Sequence, residues 1–436
     1  MGKHVIVISV DALVFEDLEY AESLPNFGRI IRSGSVVERV RSIYPTLTHP
    51  VHASLITGAP AGKTGVASNY IFNSADPTNS KEWYNSITDI KCDTLLHTAK
   101  RAGLTTAVAS WPLTCHGGEV IDYLIPGLLN YCFEGYEDDP LSAYRKYGAS
   151  ESVMDIIEDA IGKFGYHDKH PEVDALQAYC SAEIIKRYKP DLLLTHPSYV
   201  DNQRHATGIF TERVKNAILK TDEWIGWILD AVREAGIEDE TDIIVLSDHG
   251  QINITRILSP NVFLADRGYI RLDKDGKLVS YDAYVKSVGA SAHVYLGDGV
   301  SAQLREEIYS LLLEMAAEGI YGFERVFTAD EVKAEYGLSG GFAFVLETDG
   351  YTSFGDHLTR PAVRNFDITD YRFGRGTHGY LPSKGPKPTF VAAGPDFKTG
   401  VRIPEGNILN HAPTIARALG VTLKDADGSA VDELFK

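Results

Sequence analysis

Short apolar runs rich in β-branched residues recur along the chain, and stretches with helical spacing separate them. Each run is short enough for a buried strand, and alternation of such strands with helices predicts a mainly parallel, doubly wound α/β sheet with helices on both faces. The runs are HVIVISV, TTAVAS, DLLLT, DIIVLS and, late in the chain, TFVAAG. Helices are predicted between them at residues 95–102, 152–163, 176–187, 210–234 and 412–419.

This alternation is interrupted after the segment SDHGQ. Residues 254–354 have the pattern of a strand, a long helix and a strand, and the core pattern resumes near THGYLP. We therefore predict a core formed by residues 1–253 and 355–436, with residues 254–354 as an inserted α+β subdomain that forms one wall of the site. The segment 115–175, rich in Gly, Tyr and acidic residues, is predicted to form a second cover.

Composition excludes one class of function and suggests a compartment. The 436 residues carry 42 basic and 60 acidic side chains, a net charge of −18, which argues against binding of nucleic acid polymers through general electrostatics. The first apolar run is too short for a signal peptide, and no stretch approaches the length of a transmembrane helix. The four cysteines lack CxxC spacing, which is typical of reduced thiols. We predict a cytoplasmic protein without a membrane span; the oligomeric state stays open.

Three of the predicted strands run into a carboxylate, namely Asp11, Asp201 and Asp248. Any one of them alone is more simply explained as a helix cap. The carboxyl ends of the strands in a doubly wound sheet form the ligand crevice, so we expect the three acids to converge there.

Histidines accompany two of these acids at metal-ligand spacing. His205 follows Asp201 by four residues, which places both on one helix face, and His249 directly follows Asp248. A third histidine, His378, stands between glycines in GTHGY. The histidines that stand alone, among them His170 and His196, are interpreted as structural or surface residues.

The stretch YPTLTHP places two threonines just before a predicted helix. Pro50 suits the first helical position and Gly58 a helix end, so Thr48 lies near the positive end of the helix dipole. On local sequence alone, such a threonine caps free backbone N–H groups.

Taken in order, the segments VDA, YPTLTHPVHASLITG, DNQRHATG, SDHGQ and GTHGYLP resemble the alkaline phosphatase superfamily, and within it the type I phosphodiesterase/nucleotide pyrophosphatase family. The resemblance covers the core but not the insertion in detail. It implies that Thr48 is the nucleophile, Thr46 a bystander, and Asn69 a ligand of a non-bridging phosphate oxygen. It also implies two metal sites, chiefly zinc with manganese as the alternative. Their ligands are Asp201, His205 and His378 for one site, and Asp11, Thr48, Asp248 and His249 for the other.

The sequence departs from the family pattern in places. His49 replaces the usual aromatic residue after the nucleophile, and Arg204 stands where the family usually has glycine. Arg204 is a candidate substrate-binding residue, and a solvated surface arginine is the alternative interpretation. Candidates for stacking on a nucleobase, each with buried packing as the alternative, are Tyr70, Trp83, Tyr84 and Trp111.

The implied chemistry is metal-dependent hydrolysis of a small phosphodiester or nucleotide pyrophosphate through a phosphothreonine. A threonine hydroxyl is a poor nucleophile until a metal lowers its pKa, and two metals about 4 Å apart divide the work of an in-line displacement. A phosphomonoester dianion favours a cation at the site, whereas an amide such as that of Asn69 suits a diester monoanion. The alternatives are a phosphomonoester or phosphonoacetate-type phosphonate hydrolase, a manganese-dependent phosphomutase, and a non-catalytic binding relative.

Overall fold

A computed structural model of the chain describes residues 4–79, 82–166 and 169–436. Over these residues the chain forms alternating helices and strands. The helices are α1 Leu18–Ser23, α2 Pro25–Ser33, α3 Thr48–Thr57, α4 Ala61–Thr64, α5 Leu95–Arg101, α6 Pro140–Lys146, α7 Met154–Phe164, α8 Glu172–Tyr188, α9 Tyr199–Thr207, α10 Glu212–Glu234, α11 Pro260–Asp266, α12 Ala302–Glu318, α13 Ala329–Tyr336 and α14 His411–Ala418. The strands are β1 His4–Ser9, β2 Ser35–Arg41, β3 Thr106–Ala109, β4 Tyr123–Ile125, β5 Leu192–Thr195, β6 Thr241–Leu246, β7 Ile252–Asn253, β8 Arg256–Leu258, β9 Ile270–Leu272, β10 Leu278–Tyr281, β11 Ala283–Ser287, β12 Ser291–Leu296, β13 Phe323–Thr328, β14 Phe344–Thr348, β15 Thr352–Phe354, β16 Val363–Arg364, β17 Gly376–Thr377, β18 Phe390–Ala393 and β19 Arg402–Asn407.

The central sheet has eight strands in the order β19-β2-β18-β6-β1-β5-β3-β4. Strand β1 lies parallel to both β5 and β6, and β3 lies parallel to β4 and β5. Strand β18, from the late run TFVAAG, is antiparallel to both of its neighbours. The predicted mainly parallel, doubly wound sheet is therefore confirmed, and the late run supplies an antiparallel strand within it.

Alternation of side chains along the buried strands gives the sheet two apolar faces. In β1, Ile6 and Ile8 join one buried cluster, with residues of α2, α7, α8 and α10. Val5 and Val7 join the opposite cluster, with residues of α3, α5 and α14. Helices on both faces explain why these strands are continuous apolar runs rather than alternating ones.

The strand, long helix and strand predicted after residue 254 are present as β12, α12 and β14. Strands β11 to β14 form a separate antiparallel sheet in the order β11-β12-β14-β13. This sheet and α12 share a third buried cluster that includes Ile308, Leu312 and Phe344. The boundaries at 254 and 354 stay a prediction, and β16, beyond 354, pairs with β8.

The second sheet is tied to the core by the buried carboxylate of Glu347 in β14. Glu347 accepts hydrogen bonds from the Tyr44 hydroxyl (3.0 Å) and the Leu381 N–H (3.0 Å), and pairs with Lys384 at 3.0 Å. Tyr44 begins the segment that carries Thr48, and Leu381 follows the loop of His378. Burial raises the pKa of Glu347 to about 7, although the Lys384 ammonium and these hydrogen bonds act in the opposite direction.

A second buried carboxylate, Asp174 in α8, fixes the start of α9. Asp174 accepts hydrogen bonds from the N–H groups of Ser198 (2.6 Å) and Tyr199 (3.0 Å). These N–H groups belong to the first turn of α9, which has no side-chain cap of its own. Helix α9 carries Asp201 and His205, so this contact orients two site residues. No helix of the described part of the chain has the length and apolarity needed to span a membrane.

Replacing Asp174 by Ala should lower the free energy of unfolding by about 2 to 4 kcal/mol, because buried N–H groups of α9 lose their acceptor. Urea denaturation measures the change. Glu172→Ala, on the exposed side of the same helix, is the matched control and should alter stability by about 0.5 kcal/mol or less. Equal effects of the two substitutions would contradict a stabilising role for Asp174.

Glu347 should make stability depend on pH. Its folded-state pKa of about 7 lies above the 4.5 that is ordinary for a glutamate, so between these values the folded protein holds a proton that the unfolded chain has lost. The free energy of unfolding should therefore fall as pH rises from about 4.5 to about 7, by roughly 1 to 3 kcal/mol from this group, and the contribution should stay constant above that range.

Comparison of denaturation curves at several pH values tests this expectation. Glu347→Gln should remove that part of the slope. Glu324→Gln, which removes an exposed carboxylate that contacts the same Lys384, should leave it in place. A wild-type slope retained in Glu347→Gln would rule out the assignment.

Candidate functional site

The acids predicted to converge do so at the carboxyl edge of the central sheet. Asp11 follows β1 and Asp248 follows β6, and these strands are neighbours. Asp201 and His205 lie on α9, which follows β5 on the other side of β1. Thr48 is the first residue of α3. Sheet order thus brings distant parts of the sequence to one place.

Asp201, His205 and His378 form one candidate metal-binding group, whose ligand atoms lie within 4.8 Å of one another. His205 Nε2 is 3.1 Å from Asp201 Oδ2, and His378 Nε2 is 3.9 Å from Asp201 Oδ1. The predicted helical placement of Asp201 and His205 on one face is confirmed by α9.

Asp11, Asp248, His249 and Thr48 meet beside this group. His249 Nε2 lies 3.2 Å from Asp248 Oδ2, 3.5 Å from Asp11 Oδ1 and 3.2 Å from Thr48 Oγ1. Asp11, Asp201 and His249 also offer ligand atoms within 4.8 Å of one another. Asp201 therefore lies between the two groups.

Backbone carbonyls fix the imidazoles of the first group. His205 Nδ1 lies 2.7 Å from the Gly376 carbonyl, and His378 Nδ1 lies 3.0 Å from the Thr46 carbonyl. Each ring consequently presents Nε2 to the site, the arrangement that orients metal-binding histidines. Gly379, at φ +99°, lets the chain turn directly after His378, where a Cβ would lie 2.1 Å from the Val288 carbonyl.

Burial and like charge set the electrostatics of the carboxylates. Burial, together with repulsion from Asp201 and Asp248, raises the pKa of Asp11. Burial raises the pKa of Asp248 to about 6. Burial opposes ionisation of Asp201 as well, but the imidazoles of His205, His378 and His249 outweigh it and lower the pKa of Asp201.

The donor set fits divalent cations. Within the described residues, Asp11 Oδ1 and Asp248 Oδ2 are buried without a hydrogen-bond partner. Burial lowers the pKa of His378 and of His249, which keeps both imidazoles in the neutral form that binds metals. Burial lowers the pKa of His205, but the Asp201 carboxylate outweighs it, so one imidazole favours its charged form beside three carboxylates. Cations would offset the negative charge that remains.

Thr48 does not cap its helix. Its Oγ1 contacts His249, and the start of α3 has no side-chain cap. The helix begins at Thr48, two residues before the predicted Pro50, and ends at Gly58 as predicted. Thr46 instead accepts from the Gly379 N–H and donates to the Tyr380 carbonyl, which holds the loop of His378.

Asn69 is oriented towards the site by its backbone contact. Its Oδ1 accepts from the His49 N–H at 3.0 Å, so the amide nitrogen points the other way and lies 3.4 Å from the Tyr371 hydroxyl. Burial raises the pKa of Tyr371 well above its usual value, so the hydroxyl keeps its proton. Nothing in the sequence singled out Tyr371, which comes seven positions before His378.

A cavity of about 440 Å³ opens onto these residues. Its walls include residues 110–113, 115, 127–132, 144, 166, 170, 173, 176, 177, 368, 369 and 371. The predicted cover at 115–175 therefore contributes. No described residue of 254–354 lines it, which corrects the expectation that the insertion forms a wall of this site. Trp83 and Trp111 line the cavity and Tyr84 does not; Tyr70 lies on a neighbouring cavity that also contains Lys286 and Arg372.

Arg204 is not placed to bind substrate. Its side chain is 1% exposed, forms an ion pair with Asp17, and donates to the carbonyls of Ala12 (3.1 Å) and Ile209. It is absent from the lining of the cavity, which contains no Lys or Arg among the described residues. The predicted substrate contact is therefore wrong. Arg204 and His205 are consecutive residues of α9, so when His205 is directed to the site, Arg204 is directed into the protein interior.

Two further histidines lie at the site. His196 Nε2 is 3.3 Å from Asp11 Oδ2, and His52 Nδ1 is 2.8 Å from the Thr48 carbonyl. The two imidazoles contact each other at 3.1 Å. His196 was interpreted as structural, yet it directly follows β5, and that position at a strand end was the available signal.

Comparisons with known proteins identify relatives of this chain. Relatives include a pyrophosphatase/phosphodiesterase of Schizosaccharomyces pombe, 25% identical over 254 residues, which are 56% of this chain and 44% of that protein. Human ectonucleotide pyrophosphatase/phosphodiesterase family member 5 is 25% identical over 280 residues, 62% of this chain and 50% of the relative. The matched part of the chain thus spans half or less of these relatives.

Solved structures share the fold over the whole chain. The inactive variant of murine ectonucleotide pyrophosphatase/phosphodiesterase 5 in complex with AMP superposes with a TM-score of 0.67 at 20% identity, covering 100% of both chains. The human protein gives a TM-score of 0.68 at 20% identity, covering 99% of this chain and 100% of the other. A family model described as type I phosphodiesterase/nucleotide pyrophosphatase matches residues 5–381. The chain therefore belongs to the type I phosphodiesterase/nucleotide pyrophosphatase family.

Proposed function

We propose that this protein hydrolyses a small phosphodiester or nucleotide pyrophosphate, with Thr48 as the nucleophile. The observation that carries the proposal is the position of Thr48 Oγ1, 3.2 Å from His249 Nε2 at the start of α3 and beside both candidate metal-binding groups. A hydroxyl at this place faces the positive end of the helix dipole, where an anionic phosphoryl group is stabilised.

We assign one divalent ion to each group of ligands. Asp201, His205 and His378 would hold the first. Asp11, Asp248, His249 and Thr48 would hold the second. Imidazole nitrogens and carboxylate oxygens suit zinc, and manganese is the alternative. Such ions would lower the pKa of bound hydroxyl groups and offset charge on the phosphoryl oxygens.

The reaction proceeds in two displacements at phosphorus. Thr48 Oγ forms a bond to phosphorus as the ester P–O bond breaks, and the threonine proton balances the departing alcohol. Water then attacks the phosphothreonine, its oxygen stays on phosphorus, and its proton restores the Thr48 hydroxyl. Asn69 Nδ2 donates to a non-bridging oxygen in both steps, which stabilises the developing charge.

The chemistry of the cavity favours a diester over a monoester. A phosphomonoester carries a second negative charge, and the described lining supplies no Lys or Arg to meet it. Arg204, which could have supplied a cation, is buried against Asp17. The same absence disfavours phosphonoacetate, which carries a carboxylate as well as a phosphonate.

A nucleotide is the substrate class that the aromatic lining supports. His49 and Trp83 contact edge to face with ring centroids 4.8 Å apart, next to Thr48 and Asn69. These rings offer apolar faces to a base. The murine relative whose structure contains AMP has the same fold.

We propose a cytoplasmic location. The four cysteines are all buried and form no disulfide, as expected for a chain that folds in a reducing compartment. Cell fractionation with an antibody to the protein tests this assignment.

Replacing Thr48 by Ala should lower kcat for a diester by about 1,000-fold or more, because the hydroxyl proposed to form the covalent intermediate is lost. Elemental analysis should still find two metal ions per chain, since Asp11, Asp248 and His249 remain. Turnover of bis(4-nitrophenyl) phosphate measures the effect. Thr399→Ala, at the surface, is the matched control and should retain full activity. Substantial turnover by Thr48→Ala would refute the nucleophile assignment.

Substrate preference provides a separate test. The kcat/KM for bis(4-nitrophenyl) phosphate should exceed that for 4-nitrophenyl phosphate by about 10-fold or more, or ~1.4 kcal/mol of transition-state stabilisation. Phosphonoacetate should be cleaved more slowly than either ester. Preference for the monoester or for the phosphonate would favour the alternative hydrolases, and isomerised rather than released phosphate would favour a phosphomutase.

A further inference from the structure

Tyr371 lies at the mouth of the site on the short helical turn Tyr371–Phe373. Its ring stacks on His378 with centroids 5.6 Å apart and planes 24° apart, and it meets the edge of His205 at 5.8 Å. It lines the same cavity as Thr48. The ring thus covers two residues of the first candidate metal-binding group.

The hydroxyl of Tyr371 lies beside the amide of Asn69. The distance from Asn69 Nδ2 to Tyr371 Oη is 3.4 Å, long for an N–H···O hydrogen bond. The Asn69 amide cannot turn away, because its Oδ1 holds the His49 N–H. Two donors side by side at this separation can both reach one oxygen placed between them.

Neighbouring contacts hold the tyrosine in this position. Tyr70 stacks against it with centroids 6.3 Å apart, and Trp83 packs at 5.8 Å. The next residue, Arg372, binds Asp356 at 2.7 Å and Asp370 at 2.9 Å, which anchors the turn. The hydroxyl is therefore preorganised, as a donor must be to stabilise a charge that develops in the transition state.

The shortage of charged donors gives this hydroxyl a role. The described cavity lining has no Lys or Arg. The Asn69 side chain contributes only its Nδ2 group as a donor to the phosphoryl group, because its Oδ1 accepts from the His49 N–H. A second neutral donor would add a hydrogen bond to the same non-bridging oxygen. Because it carries no positive charge, it would not favour monoester dianions.

We propose that Tyr371 is a catalytic residue whose hydroxyl donates a hydrogen bond to the non-bridging phosphoryl oxygen that Asn69 also binds. The inference rests on the proposed diester hydrolysis and extends it. The two neutral donors together hold the oxygen whose charge grows as Thr48 attacks. The aromatic ring of Tyr371 has a separate role, because it stacks on His378.

The test separates the hydroxyl from the ring. Tyr371→Phe should lower kcat/KM for bis(4-nitrophenyl) phosphate by about 10-fold or more, mainly through kcat, by analogy with loss of one oxyanion donor. Tyr371→Leu, which also removes the ring, should lose more. Tyr309→Phe, on α12 against Phe344, is the matched control and should equal the wild type.

Replacing a non-bridging oxygen of the substrate by sulfur gives a second measurement. The resulting loss of activity should not depend on Tyr371 if this residue only supports the structure. Sulfur accepts hydrogen bonds more weakly than oxygen, so the wild type should lose more activity than Tyr371→Phe when the phosphorothioate analogue replaces the diester. Tyr371→Phe and Asn69→Ala should also be less than additive in combination, because both act on one oxygen. An unchanged sulfur effect together with additive losses would overturn the proposal.

Turnover of the diester by the wild type distinguishes failure of the inference from failure of the proposed function. If the wild type hydrolyses the diester and Tyr371→Phe matches it within two-fold, the inference alone is wrong. If the wild type hydrolyses no diester, the proposed function is wrong and the inference falls with it.

Discussion

The structure depends on the close approach of three carboxylates, those of the buried Asp11 and Asp248 and of the half-buried Asp201. Asp201 lies between the two candidate metal-binding groups, so neither group can be moved without the other. Such a concentration of negative charge is unfavourable in a protein interior unless positive charge meets it. The neutral imidazoles of His249 and His378 do not supply that charge. Burial lowers the pKa of His205 but Asp201 outweighs it, so this imidazole offsets at most one carboxylate, and the nearby Arg204 is paired with Asp17. The fold therefore maintains a site whose stability and chemistry both call for cations.

Contacts remote from the site hold this arrangement in place. Asp174 fixes the start of α9, and the carbonyls of Gly376 and Thr46 orient His205 and His378. Glu347 joins the second sheet to the segments on either side of the site. Glu347, within the predicted insertion, thus contacts segments that carry site residues, whereas no described residue of 254–354 lines the cavity. This is the pattern expected where ligands must be held to within fractions of an ångström.

The cavity brings candidate metal ligands together with walls that contain no Lys or Arg among the described residues. Aromatic rings and amides line it, and the basic residues Lys286 and Arg372 lie in a neighbouring cavity, each paired with Asp356. Under the proposed function, discrimination among phosphate esters would rest on the number of negative charges on the substrate and on the fit of its neutral part. Neutral donors such as Asn69 suit a phosphoryl group that carries a single charge.

The sequence by itself determined the sheet, its mainly parallel direction and most members of the candidate site, because buried strands are continuous apolar runs and chemistry-bearing residues follow their carboxyl ends. Asp11, Asp248 and His205 were identifiable on these grounds, and the order of motifs identified Thr48 and Asn69. Tertiary structure decided which side chains share the space. Arg204 turns inward, His196 reaches Asp11, and Tyr371 lies beside Asn69 because helix orientation and loop path set these positions. No local pattern records such long-range contacts, since they join segments up to about 300 residues apart.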